Sequence, residues 1–232
     1  MISIVTVCFN NAEGLASTLN SLRLLACEHE VVVIDGASED NTFEVVKQYS
    51  GIIDQYVSET DDGIYDAMNK GVRLAKGNWI YFLNAGDCIF SNDFFDEFEK
   101  NYKKNNIDAV YGDVIYTDGT RVSSTFSKKM YIHNTLHHQS VIYRKELLLS
   151  SPFSCKYKIL ADYDFNLTSY ISQRKFIKIP FIVSICESDG ISRTSLDEVL
   201  NENKIIHNEK YGYILGLLIN IIMKIKFRLK NV

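Results

Sequence analysis

Short β-branched runs that stop abruptly at polar residues, each followed by a helix-patterned stretch, constrain this chain more than any other feature. Residues 2–8 and Val31-Val32-Val33-Ile34 are such runs, apolar almost throughout, as strands buried on both faces of a parallel sheet are. Between them Leu15, Leu19, Leu22 and Leu25 recur at three- and four-residue steps, so they can share one helix face laid on the sheet. After the second run, Asp35 to Thr42 form a turn and helix-entry cluster, followed by Phe43, Val45, Val46 and Tyr49. The pattern continues with a strand over 55–58, a helix over 64–75 and a strand over 79–83 that ends in Asn84-Ala85-Gly86-Asp87. Alternation of this kind predicts an α/β fold with a doubly wound sheet and right-handed crossovers.

Past residue 90 the rhythm changes. A helix over 93–104 and a strand over 109–111 are expected, then a polar stretch over 117–129 suited to a hairpin or a mobile loop. Beyond it the pattern gives a strand over 139–143, a helix over 160–173 and one or two short strands over 176–186 around Pro180. The second half therefore reads as mixed α+β.

At 232 residues the chain suits one domain, expected over 1–205, with an appendage over 206–232. The appendage holds an apolar run over 213–223, followed by Lys224, Lys226, Arg228 and Lys230. That run is shorter than the ~20 residues needed to cross a bilayer. It can lie along an anionic membrane surface, or pack on the domain or on a second subunit with its cationic end in water. Five cysteines at wide spacings, without a C-x-x-C pair, read as free thiols in a reducing compartment. Met1 to Val7 lacks a basic region and a cleavage site, so no signal peptide is expected. A net charge of −4 gives no overall attraction to nucleic acid, and none is expected as a partner.

In open α/β sheets ligands bind where the strands end. Here the strand ends carry Asn10-Asn11, Asp35 to Asp40, and Asn84 to Asp87, with Asp61-Asp62-Gly63 before a helix and no Lys or Arg in these loops. Carboxylates and amides without cations suit a divalent cation and the hydroxyl and imide groups of a nucleotide. Taken singly, Asp40 and Asp93 read better as helix caps or turn residues. A phosphate loop of the pyrophosphorylase kind is absent after the first strand, where Phe9-Asn10-Asn11-Ala12-Glu13 stands, and so is a G-x-G-x-x-G dinucleotide fingerprint.

Four segments together resemble the family 2 glycosyltransferases of GT-A fold, especially bacterial enzymes of surface polysaccharide synthesis (O-antigen, capsule, colanic acid). They are Ile4 to Asn10, Val33 to Thr42, Asp61 to Gly71 and Gly77 to Asp87, in order and at the right spacing; the likeness covers about residues 1–190. The resemblance implies that Asp35 accepts from the imide of a pyrimidine nucleotide, with Phe9 walling the base and Ser38 on the same donor side. It implies further that Asp62, Gly63 and Asn69 line the donor site with Asn84, and that Asp87 ligates Mg²⁺ or Mn²⁺ on the diphosphate. Asn84 and Gly86 stand where the family often has acids, which leaves Asp87 the sole carboxylate of that motif.

His137-His138-Gln139-Ser140 and Ala161 to Phe165 resemble two later motifs. Adjacent histidines on a strand point to opposite faces, so a shared zinc site is not expected; one of them, taken as His138, would face the donor phosphates. Asp162 matches the base of inverting members, whereas Asp164 is expected to cap or pair. The implied activity is transfer from a nucleotide-diphosphate sugar, UDP-hexose first, to a hydroxyl of a lipid-linked or oligosaccharide acceptor. The cationic tail and the family together point to a polyprenyl-diphosphate-linked sugar at the inner face of the plasma membrane, in the cytoplasm. The alternative is a catalytically weak or inactive member serving as partner to another transferase.

Overall fold

The computed structural model describes residues 1–23, 25–102, 106–188 and 195–220. Its elements are β1 (Ile2–Cys8), α1 (Ala12–Leu22), β2 (His29–Asp35), α2 (Thr42–Gln48), β3 (Gln55–Ser58), α3 (Ile64–Leu74), β4 (Trp79–Phe82), β5 (Cys88–Ile89) and α4 (Asp93–Tyr102). The second half adds β6 (Ala109–Tyr116), β7 (Arg121–Val122), β8 (Val141–Arg144), α5 (Lys145–Ser150), α6 (Ala161–Ile171), β9 (Phe176–Cys186) and α7 (Leu196–Tyr211).

Among the described residues the strands form one nine-stranded sheet of order β3-β2-β1-β4-β8-β6-β9-β5, with β7 on β6. The first four are mutually parallel, so β1, β2 and β4 all deliver their carboxyl ends to one edge. β8 enters antiparallel between β4 and β6. β6 and β9 are parallel to each other, and β5 runs antiparallel to β9. The sheet is thus mixed and the fold is GT-A.

Both faces of β1 are covered, which is why its side chains are apolar almost throughout. Ile2 and Ile4 pack with Leu15, Leu19 and Leu22 of α1 and with Phe94, Phe95 and Phe98 of α4. Val5 and Val7 pack on the other face with Met68 and Val72 of α3 and with Tyr163 and Phe165 of α6. Close approach fixes α3 on the sheet: a Cβ on Gly71 would collide with Val5. Leu25 is buried with the α1 face although it lies past the helix end.

Several expectations change in the second half. The strand expected over 109–111 runs on to Tyr116, because Thr117 to Thr120 turn the chain back into the β6–β7 hairpin. Residues 176–186 form one strand, not two; the pairing with β6 slips between Lys178 and Ile182, where Pro180 has no N–H to offer. The strand expected from Gln139 begins only at Val141, after a single 3₁₀ turn over His138–Ser140. Helix α7 crosses the expected 205/206 boundary unbroken, with Ile206 and His207 buried. The exposed apolar segment starts at Tyr213, and the basic residues after it lie outside the described residues.

Candidate active site

The carboxyl end of β2 presents Asp35, which is buried and fully engaged. Its Oδ1 accepts from the backbone N–H (3.0 Å) and hydroxyl (2.5 Å) of Ser38, and its Oδ2 from the hydroxyls of Tyr56 (3.1 Å) and Ser58 (2.7 Å). Register explains the second pair, since Ser58 of β3 lies opposite Asp35 in the ladder. The Ser38 hydroxyl in turn accepts from Asn10 N–H (2.7 Å), and Asn10 Oδ1 accepts from Glu39 N–H (2.9 Å). Asp40 ties the same loops by accepting from Ala12 N–H and from the Thr42 N–H and hydroxyl, the structural role expected for it. Asn10 (φ 48°) and Ala37 (φ 61°) hold the left-handed conformations that this lacing requires.

The lacing leaves the Phe9 ring outside. Phe9 is 64% exposed at the end of β1, a large aromatic surface against Gly36 at the edge where the parallel strands end. Asp61 lies beside Gly36 as well, so the β2 loop and the start of α3 adjoin. Gly63 caps α3 with φ 109°, a conformation closed to most side chains, and Asp62 beside it is exposed. Asn69 has a different task from the one expected. Its amide donates to the Phe153 carbonyl (2.8 Å) and accepts from the Phe153 N–H (3.1 Å), so it is buried as a pin for the α5–α6 connection and presents no group to a ligand.

At the end of β4 the chain turns through Asn84-Ala85-Gly86-Asp87, held from α1 by Thr18, whose hydroxyl donates to the Asp87 carbonyl (2.7 Å) and accepts from Gly86 N–H (3.0 Å). The Asp87 carboxylate points inward. Oδ2 accepts from Gln139 Nε2 (3.2 Å) and Oδ1 from Glu187 N–H (3.2 Å). Burial pushes its pKa up to about 6, and among the described residues no Lys or Arg pairs with it. Glu187, just past β9, lays its carboxyl group against Gly86; φ at Gly86 is 105°, and a Cβ there would occupy the place of that group.

His138 connects this corner to α6. Its Nε2 is 3.0 Å from Asn84 Nδ2 and its Nδ1 is 3.3 Å from Asp162 Oδ2. With Asn84 donating, the neutral ring carries its proton on Nδ1 and donates to Asp162. Asp162, in the first turn of α6, also accepts from Asn134 Nδ2 (3.2 Å) at Oδ2 and from Tyr163 N–H (2.7 Å) at Oδ1, where the Tyr65 hydroxyl of α3 approaches to 3.3 Å. A hydrogen-bonded path thus runs from Asn84 through His138 to Asp162, with Asp87 and Gln139 at its flank. The two histidines part because the 3₁₀ turn begins between them, not by strand alternation. His137 is extended and lies edge-on to Tyr116, and burial lowers its pKa. Asp164 forms the expected pair, with Lys210 (2.8 Å).

The donor set at Asp87 fits a hard divalent cation. A buried carboxylate without a cationic partner stands with the Glu187 carboxylate beside Gly86 and with Asn84 Oδ1, a buried oxygen that no hydrogen bond satisfies. Among the described residues no three His, Cys, Asp or Glu side chains converge, so a cation held here would need further ligands from outside the protein. Gln139 and Tyr65 belong to motifs that the sequence displays, whereas Asn134 and Glu187 carry no local signal, and Glu187 enters only because β9 ends beside the β4 loop.

Residues 3–163 match the model of Glycosyl transferase family 2. The chain belongs to that family. This glycosyltransferase is similar to the PGL/p-HBAD biosynthesis glycosyltransferase of Mycobacterium tuberculosis (strain ATCC 25177 / H37Ra), 31% identical over 214 residues that cover 85% of this chain and 81% of the relative. Among solved structures, S. aureus TarS 1-349 in complex with UDP-GlcNAc superposes with a TM-score of 0.72 at 18% identity. The match covers 88% of this glycosyltransferase and 65% of the TarS fragment. Mannosyltransferase PcManGT from Pyrobaculum calidifontis, in complex with GDP-Man and Mn²⁺, gives 0.66 at 17% identity, covering 94% of this chain and 71% of that one. At these identities the likeness to the solved structures is one of fold.

Proposed function

We propose that the enzyme is an inverting hexosyltransferase that moves a sugar from a UDP-sugar to an acceptor hydroxyl. The observation that supports the reading is the hydrogen-bonded path from Asn84 through His138 to Asp162, with the buried acid Asp87 held beside it by Gln139. Phe9 offers a face for the base; Asp35, expected to accept from the imide, has both oxygens taken by Ser38, Tyr56 and Ser58 and instead holds the loop against which the uracil edge would lie. Asp62 and Gly63 close the donor side at α3. Asp87, with Glu187 beside it, would hold Mg²⁺ or Mn²⁺, which supplies charge neutralisation to the departing nucleoside diphosphate.

On this reading Asp162 Oδ2 takes the acceptor proton as the acceptor oxygen bonds to the anomeric carbon and the bond to the diphosphate oxygen breaks. His138 keeps the carboxylate oriented. The second carboxylate at Glu187 speaks against a merely structural partner protein, the reading that Asn84 and Gly86 had left open. The reading is tested by offering a panel of UDP- and GDP-sugars with Mn²⁺ and following the anomeric proton by NMR. An α-linked UDP-sugar is expected to yield a β-configured product first; an α product, or no cleavage of any donor, contradicts it.

For the acceptor we infer a polyprenyl-diphosphate-linked or oligosaccharide hydroxyl in surface polysaccharide synthesis, presented at the inner face of the plasma membrane. No helix among the described residues is long and apolar enough to cross a membrane. Tyr213 and Ile214 are 71% and 77% exposed, Leu218 is 53% exposed, and the sequence continues into Lys224, Lys226, Arg228 and Lys230. An apolar surface followed by cations fits anionic headgroups. The full chain is expected to sediment with phosphatidylglycerol vesicles and much less with phosphatidylcholine vesicles, and a chain ending at Gly212 to stay in solution with both. Equal sedimentation of the two chains would remove the membrane reading.

A further inference from the structure

Helix α7 lies beyond the residues that match the family, yet it grips the segment that carries Asp162. Glu202 of α7 is buried, and its carboxylate accepts three consecutive backbone N–H groups: Lys158 (2.7 Å), Ile159 (3.1 Å) and Leu160 (2.8 Å). These residues lead directly into α6, whose N-cap, Leu160, has no side-chain oxygen for the donors that a helix start leaves open. A carboxylate from another helix supplies the acceptor instead. On the opposite side the Tyr65 hydroxyl donates to the Ile159 carbonyl (2.5 Å), so the loop is held at both its donors and its acceptor. Asp162 is two residues beyond it.

We propose that Glu202 is a positioning residue for the reaction: by fixing the backbone of residues 158–160 it sets where the Asp162 carboxylate stands against the acceptor. The proposal rests on the assignment of Asp162 as the base. Glu202 touches neither Asp162 nor a reacting atom, and its effect passes through the backbone. Replacing its carboxylate by an amide presents an N–H to groups that are themselves donors, which frees one side of the loop. A carboxylate displaced by about 1 Å loses roughly a hundredfold in rate, whereas the donor contacts at Asp87, Phe9 and α3 are untouched.

The test measures kcat and KM for the UDP-sugar that the wild type cleaves fastest, with Mn²⁺, below the melting temperature of every variant. Glu202→Gln is expected to lower kcat by about ten- to a hundredfold with donor KM within about twofold, and Glu202→Asp to fall between it and wild type. In an Asp162→Asn background the same change should leave the residual kcat unaltered, because no base remains to be misplaced. An unchanged kcat in Glu202→Gln, or an equal fall in both backgrounds, overturns the proposal. If Glu202→Gln does not fold, Glu202→Asp carries the same comparison. Should Asp162→Asn alone keep wild-type turnover, the base assignment falls first, and that result is distinct from a failure at Glu202.

Discussion

Asp162→Asn is expected to reduce kcat by about a thousandfold, within the range of a hundred to ten thousand that a general base contributes, while donor affinity stays within about twofold. The amide keeps the shape of the carboxylate and can still accept Tyr163 N–H. On its other side the new Nδ2 faces His138 Nδ1, which donates in the wild type. Asn134 Nδ2 donates to the same oxygen in the wild type and loses its acceptor as well, so the variant is expected to fold but to melt lower by a few degrees. Proton acceptance is what it loses. Turnover within threefold of wild type would show that Asp162 is not the base.

The second large effect is expected at Asp87, and it separates activity from stability. Its folded pKa of about 6 lies above the ordinary 3.8, so between these values the folded protein holds a proton that the unfolded chain has released. Stability from this group is therefore present in acid, falls as pH rises from about 4 to about 6, and stays lost above that, by up to about 3 kcal/mol. Asp87→Asn removes the buried charge. Without metal at pH 7 it is expected to melt higher by several degrees, and the difference from wild type should disappear near pH 4.

Metal-supported transfer by the same variant is expected to fall by at least a hundredfold. In the wild type Mn²⁺ competes with the proton, so its affinity should drop about tenfold per pH unit below pH 6. A variant that is active and no more stable than wild type at pH 7 would contradict the buried, cation-seeking role of this acid.

The first half of the fold was legible because its strands are buried on both faces and its helices on one. Leu15, Leu19 and Leu22 mark the α1 face in the sequence, and all three are buried there. The second half is less readable because tertiary pairing overrides local signals. Pro180 suggests a break, but it falls where β9 shifts register against β6, so one strand continues through it. His137 and His138 look like alternating strand residues, and only the chain path shows the turn between them. At the site, the acids were visible as residues at strand ends, but their partners were not. Asp35 is satisfied by Tyr56 and Ser58 through the β2–β3 register, and Asp87 meets Glu187 across a separation of one hundred positions. Asn69 illustrates the converse, since a motif residue can serve the site by pinning backbone.

The most direct test of the account is calorimetric titration of one UDP-sugar, with Mn²⁺ at pH 7, into Asp162→Asn and Asp87→Asn side by side. A base at Asp162 and a metal-holding acid at Asp87 predict wild-type affinity for the first and a loss of at least tenfold for the second. Equal affinity in both variants, or a loss in Asp162→Asn as large as in Asp87→Asn, would contradict that division of roles.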